Sequence, residues 1–256
     1  MQAAGRLAGK VAIVTGGGAG FGAGIARRFA EEGCKVVVAD IAETDGHRVA
    51  AEIQKAGGAA TFFKADVSQN EATGRLVSAA FERFGDLDIM VNNAGVPQVN
   101  GPMHEVGEHD FDRIFAVNVK SLYWAARHTV PHFRAKGGGV IINTSSTAAV
   151  RPRPGLVWYN GSKGAVDAIT RSMAIELAPH RVRVNAVSPV AGDTQMLAQF
   201  LGGTATPAER RKFEAAIPLG RLSRPLDVAN AAVFLASDEA AMITGLCLPV
   251  DGGRLI

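Results

Sequence analysis

Seven short runs rich in β-branched and apolar residues alternate along this chain with longer stretches of helical period. The runs fall at 11–14, 36–39, 60–64, 89–91, 140–143, 182–187 and 246–250. Helix-period stretches lie near 21–32, 43–56, 69–84, 108–135, 158–178 and 225–236. Strands that read as near-continuous apolar runs are buried on both faces, and strand–helix alternation implies parallel neighbours joined by crossover helices. The pattern therefore predicts an α/β fold: one doubly wound domain over 1–256, with about seven parallel strands and helices on both faces. One stretch breaks the alternation. From Pro189 to about Pro218 it is irregular, with Gly202-Gly203 and a short helical candidate at 207–216. Long loops inside compact domains usually carry function, so 189–218 is expected to be a substrate loop or lid.

Composition narrows the class. With 256 residues, 47% of them hydrophobic, the chain can bury a full core. A formal charge of +3 without a dense basic run argues against nucleic acid as a partner. No stretch approaches the length of an apolar membrane span and the first ten residues hold no secretory apolar region, so a cytoplasmic protein without a membrane partner is expected. Cys34 and Cys247, far apart in sequence, are expected to be buried reduced thiols. His128 and His132 share a helical face but lack a metal-binding sequence around them. A solvated helix face is expected, and no metal.

The first run leads directly into Thr15-Gly16-Gly17-Gly18-Ala19-Gly20-Phe21-Gly22, and a helix follows. Glycines let a backbone turn sharply and approach a ligand closely, while a helix N-terminus offers free N–H groups to a pyrophosphate. Asp40 ends the second run, where a dinucleotide fold places the adenosine ribose. A carboxylate there accepts from the ribose hydroxyls and repels a 2′-phosphate. Ile41 follows it, and neither Arg nor Lys stands in 16–22, so NAD is expected rather than NADP. Asp40 also suits the approach to the helix beginning near Glu43.

Tyr159 and Lys163 stand four residues apart, on one face of a predicted helix. An ammonium beside a phenol favours the phenolate and lowers its pKa, tuning the tyrosine for proton exchange near neutral pH. Tyr123 and Arg127 have the same spacing but no supporting motif, and read as structural.

Taken in order, Thr15-Gly16-x-x-x-Gly20-x-Gly22, Asp66-Val67, Asn92-Asn93-Ala94-Gly95, Asn118, Ser146, Tyr159-x-x-x-Lys163 and Asn185-Ala186-Val187-Ser188-Pro189 resemble the motifs of the short-chain dehydrogenase/reductase family, single-domain type. The resemblance covers essentially the whole chain. It implies Tyr159 as general acid/base, Ser146 as the group that hydrogen-bonds the substrate oxygen, and Lys163 as the residue that lowers the tyrosine pKa and binds the nicotinamide ribose. Asn118 would hold a water linking Lys163 to solvent; it also suits a helix kink. The resemblance further implies that Gly16, Gly20, Phe21 and Gly22 carry the cofactor with Asp40 and Ile41. Asp66 and Val67 would contact adenine, Asn93, Ala94 and Gly95 would line the cleft, and Pro189, Gly192 and Thr194 would lie by the nicotinamide. One departure stands out. Val190 follows Pro189 where the family usually has Gly, and Gly192 stands where Ile or Val is usual, so the loop is expected to take a different path.

The implied reaction is hydride transfer between NAD and a secondary alcohol, sugar or other hydroxy compound, and its ketone. Alternatives are an NADPH-dependent carbonyl or 3-oxoacyl-thioester reductase, and a non-catalytic NAD-binding regulator. Val157, Trp158, Met196, Leu197, Phe200 and Leu201 are candidates for an apolar substrate wall, with core packing an equal reading. Arg151 and Arg153 are expected to face solvent. Either one pointing inward would imply an anionic substrate. The resemblance also suggests a homotetramer, with 246–256 in the subunit contacts.

Overall fold

A computed structural model describes residues 5–200 and 206–256. Seven parallel strands form one sheet in the order β3-β2-β1-β4-β5-β6-β7. They are β1 (Val11–Thr15), β2 (Lys35–Asp40), β3 (Ala60–Lys64), β4 (Ile89–Asn92), β5 (Gly139–Thr144), β6 (Val182–Pro189) and β7 (Cys247–Val250). All seven runs read from sequence are strands, differing by two residues or fewer at any end.

Alternate residues of β1 serve opposite layers. Ala12 and Val14 pack with α1 (Gly20–Glu31), α2 (Glu43–Lys55) and α9 (Pro225–Ala236), while Val11 and Ile13 pack with α3 (Asn70–Phe84), α5 (Ser121–Lys136) and α6 (Val157–Leu177). All five β1 residues are buried, which is why the run shows no polar alternation. Each fully buried Val or Ile in such a layer contributes roughly 1.5–3 kcal/mol. The edge strand β7 is only half-buried.

The expected single helix over 108–135 is three pieces. Between α4 (Glu108–Phe115) and α5 lies a π-helical turn at Ala116–Lys120. The buried Asn118 side chain causes the local irregularity to persist: its Oδ1 accepts from Val96 N (2.8 Å), and its Nδ2 donates to Val96 O (3.0 Å) and Ser162 Oγ (3.1 Å). Such turns replace the i→i−4 ladder with another satisfied arrangement and recur at functional sites.

The 189–218 stretch is less irregular than expected. It holds α7 (Gln195–Phe200) as well as α8 (Pro207–Ala215). Thr206 starts α8 with a capping box, its hydroxyl accepting from Glu209 N while the Glu209 carboxylate accepts from Thr206 N. Leu201, Gly202 and Gly203 lie outside the described residues.

The sheet order reverses between β1 and β4. β1 leads outward to β2 and β3; the chain then returns to β4 on the other side of β1. A crevice opens at the carboxyl ends of the strands at such a reversal, the usual ligand position in open α/β sheets.

Candidate active site

The crevice is a cleft of about 720 Å³ above the ends of β1, β2, β4, β5 and β6. One half is built on the backbone. Thr15, the last residue of β1, accepts at Oγ1 from Asn93 N (3.0 Å) and Ala94 N (3.1 Å) and donates to Val91 O (3.2 Å). Asn93 Nδ2 donates back to Thr15 O (2.9 Å) and Gly16 O (3.3 Å). The glycine turn is thereby clamped to the end of β4. Gly16 takes φ of +62°, and a Cβ on Gly22 would lie only 2.0 Å from Gly16 O. Neither position admits a side chain without rearrangement.

These residues fit a nicotinamide dinucleotide. α1 opens at the cleft without a side-chain cap at Ala19 and without an acidic residue in its first turn, leaving its N–H groups for a phosphate anion. Gly16, Gly20, Phe21, Asp40, Ile41, Asp66, Val67, Asn93, Ala94, Gly95, Pro189, Gly192 and Thr194 all line the cleft, whereas Gly22 sits behind the turn. The Asp40 carboxylate accepts from Gly18 N and Ala42 N, both at 2.9 Å, so it braces the turn and the approach to α2 together. Asp66 Oδ1 accepts from Ser68 N (2.9 Å) and Ser68 Oγ (2.7 Å), fixing the entry to α3. Sequence reasoning missed Arg48. Its guanidinium reaches Gly18 O (3.0 Å) but is bound by Asp45 and Glu52, so the cation at this end is already neutralised.

The other half is built on side chains. Ser146 follows β5 and caps a short 3₁₀ turn, its Oγ accepting from Ala148 N at 3.1 Å. Tyr159 and Lys163 share a face of α6, and both are buried. Lys163 Nζ donates to Thr144 O (2.8 Å) and lies 5.9 Å from the Tyr159 ring centroid. A methyl placed on Gly95 would lie 3.5 Å from Lys163 Nζ and 3.3 Å from Asn118 Oδ1, so these two groups share one wall. Both Asn118 amide hydrogens are used, which leaves an acceptor site on Oδ1 for a water.

Burial pushes the Tyr159 phenol up to about 12, against the pull of the Ser146 hydroxyl and the Arg153 charge. Burial also pulls Lys163 down to about 8, with Asp167 opposing. The groups that pull the phenol down are Ser146 and Arg153 rather than Lys163.

Arg153 is a correction. It was expected to face solvent, yet it lines the cleft, with its guanidinium carbon 4.1 Å from the Phe213 ring centroid. Arg151 is exposed and donates to Arg254 O (2.6 Å). Trp158 turns away from the cleft, edge-on to Phe111 at 5.3 Å and donating to Met103 O (3.0 Å); Val157 is exposed. Met196, Leu197 and Phe200 do line the cleft, and Phe200 meets Tyr159 edge-on at 4.9 Å. Gln98, also missed, fixes the start of α6. Its Oε1 accepts from Trp158 N (3.0 Å) and Tyr159 N (3.1 Å), and its Nε2 donates to Gly155 O (3.0 Å). A lone Gln after Val96-Pro97 gives no sequence signal for that role.

The departure at Val190 resolves simply. Among the described residues only Arg181 combines a side chain with positive φ, so Val190 needs no strained backbone. Its side chain is buried with Leu197, Ile217 and Leu222. Gly192 is the position that cannot carry a branch, because a Cβ there would lie 2.3 Å from Phe21 Cζ. Bulk has exchanged places between 190 and 192.

Elsewhere the residues are structural. His128 pairs with Asn70, and His132 with Asp86 and Leu87 O; both are half-buried between elements rather than on a solvated face. Cys34 is buried, Cys247 half-buried, and both are free thiols. Tyr123 is on the surface. Among the described residues no helix is long and apolar enough to cross a membrane.

Comparison with known proteins agrees with this architecture. A family model described as enoyl-(acyl carrier protein) reductase matches residues 16–254. The 4-formylbenzenesulfonate dehydrogenase of Comamonas testosteroni is 50% identical over 247 residues, covering 96% of this chain and 98% of the relative. A 2,5-dichloro-2,5-cyclohexadiene-1,4-diol dehydrogenase of Sphingobium indicum is 40% identical over 250 residues, covering 98% of each chain. The crystal structure of a 3-ketoacyl-(acyl-carrier-protein) reductase from Brucella melitensis, complexed with NADH, superposes with a TM-score of 0.92 at 47% identity, covering 98% of this chain and all of that one. With its ordered motifs, its seven-stranded sheet and these full-length likenesses, the chain belongs to the short-chain dehydrogenase/reductase family, NAD(P)-dependent oxidoreductases acting on CH–OH groups.

Proposed function

We propose that this chain interconverts a secondary alcohol and its ketone using NAD, with Tyr159 as the general acid/base. The observation that carries this reading is the convergence of Ser146, Tyr159 and Lys163 on one cleft, with Asn118 buried beside Lys163, whose other half is a glycine turn closed by Asp40. When bound, the dinucleotide supplies the two-electron redox partner. The chain's residues do the rest. Ser146 Oγ hydrogen-bonds the substrate oxygen and holds it beside the phenol. Tyr159 takes the hydroxyl proton during oxidation and returns it during reduction. Lys163, anchored on Thr144 O, binds the nicotinamide ribose, and Asn118 holds the water through which protons reach solvent. Phe200 and Leu197 exclude water from the reacting carbon.

NAD is preferred because Asp40 and Asp45 both approach Gly18: a Cβ there would lie 3.0 Å from Asp40 Oδ2 and 3.1 Å from Asp45 Cβ. The Asp40 carboxylate faces the cleft and opposes a 2′-phosphate, while Arg48 and Asp45 are paired with each other. The apolar lining suits a ring-bearing substrate, in keeping with the benzenoid and cyclohexadiene compounds named for the two dehydrogenase relatives. Residues 189–218 serve as its lid. A homotetramer with 246–256 in its subunit contacts belongs to the same reading, and sedimentation would test it.

The test is absorbance of the reduced nicotinamide, with NAD⁺ or NADP⁺ and a panel of cyclic, aryl and aliphatic alcohols, and the reduced cofactors with matching ketones. Turnover with NAD⁺ is expected. Turnover confined to NADPH and ketones would instead support a carbonyl or oxoacyl-thioester reductase.

A further inference from the structure

Arg153 is a cation lining the reaction cleft, and among the described residues no acid pairs with it. The segment that carries it is stiff: Pro152 and Pro154 restrict the backbone on either side, and Asn160 Nδ2 donates to Arg153 O at 2.9 Å. The guanidinium lies over Phe213 of α8, and the side chain shares the cleft with Ser146, Tyr159 and Phe200. Among the described residues no side chain or carbonyl accepts a hydrogen bond from it, and its charged neighbour Arg254 repels it. Burial correspondingly pulls its pKa below the usual arginine value.

The other charges of the cleft are accounted for. Asp40 and Asp66 brace backbone turns at the nucleotide end. Lys163 donates to Thr144 O, and Arg113 lies 3.6 Å from Asp110. Contact with one aromatic face offsets only part of the cost of desolvating a cation. A guanidinium fork with unfilled donors is built to take two oxygens of an anion.

We propose that Arg153 is a specificity-determining residue that binds a carboxylate or sulfonate on the substrate, a group distinct from the carbon that reacts at Tyr159. Phe213 lies against the Arg153 guanidinium and Phe200 against the Tyr159 ring, so both ends of such a substrate meet an aromatic side chain. This rests on the dehydrogenase reading for the identity of the reacting end.

The test separates the two. Dinucleotide-saturated enzyme is titrated calorimetrically with benzoate, benzenesulfonate and neutral benzamide, in the wild type, Arg153→Gln and Arg153→Lys; reduced-nicotinamide kinetics are run on alcohol pairs that differ only in a carboxylate or carboxamide. The wild type is expected to favour the anions by about 10- to 100-fold, Arg153→Gln to abolish that ratio, and Arg153→Lys to keep part of it. A loosened lid would weaken both members of each pair and leave the ratio intact. Equal affinity for anion and amide in the wild type, or an undiminished ratio in Arg153→Gln, overturns the proposal. Anion preference without turnover of any alcohol would uphold Arg153 as an anion site and remove the dehydrogenase reading. Turnover without preference would do the reverse.

Discussion

The two halves of the cleft are made in different ways. The glycine-turn half is held by main-chain groups: Thr15 takes two backbone N–H bonds, Asn93 binds two backbone carbonyls, and Asp40 takes two further N–H groups. The substrate half relies on side chains that meet across distant segments: Phe200 on Tyr159, Arg153 on Phe213, and Val190 with Leu197, Ile217 and Leu222. A backbone lattice can bind one invariant ligand in one geometry. A wall of side chains can be exchanged residue by residue without disturbing the strands beneath it. Val190 and Gly192 illustrate this: Val190 fills a side-chain cluster and Gly192 makes room for Phe21, just beyond a β6 that pairs with β7 in regular register.

Four substitutions test that division. The largest effect is expected from Tyr159→Phe, which should lower kcat by about 10²- to 10⁴-fold while dinucleotide affinity, measured by titration, persists. Parallel loss of affinity would mean the halves are not separable.

Next in size is the pH dependence of Lys163. Its folded value near 8 lies below the ordinary 10.5, so between those values the unfolded chain binds the extra proton and stability rises with pH. Tyr159 acts in the opposite sense above pH 10, where the folded chain holds its proton up to about 12. The clean window is therefore pH 8 to 10. There, wild type should gain on the order of 2–3 kcal/mol relative to Lys163→Met in denaturant unfolding. Parallel curves for the two proteins would refute burial as the cause.

Gly22→Ala should cost about 1–3 kcal/mol and weaken dinucleotide binding, because the methyl meets Gly16 O. An unchanged melting temperature and affinity would show that the turn yields, contrary to the lattice picture. The smallest effect is set by Asp40→Ala, expected to reduce the preference for NAD⁺ over NADP⁺ by about 10- to 100-fold in kcat/KM. A ratio that stays fixed would move the discrimination to Asp45 or elsewhere.

The sequence determined the seven strands, the glycine turn and the spacing of Tyr159 and Lys163, because each depends on neighbours within a few positions. A buried parallel strand must be apolar along its whole length, and a turn that crosses its own helix must lack side chains. Roles that depend on distant partners were not legible. Asn118 suited a kink, but its partners Val96 and Ser162 could not be read; Gln98 holds α6 from another loop, and Arg153 lies in the cleft against Phe213, sixty residues on. The dryness of Tyr159 and Lys163 was not legible either, since i,i+4 spacing places them on one face but only packing sets how far both groups are buried. Local spacing fixes which groups can meet; the tertiary structure decides which of them remain hydrated and charged.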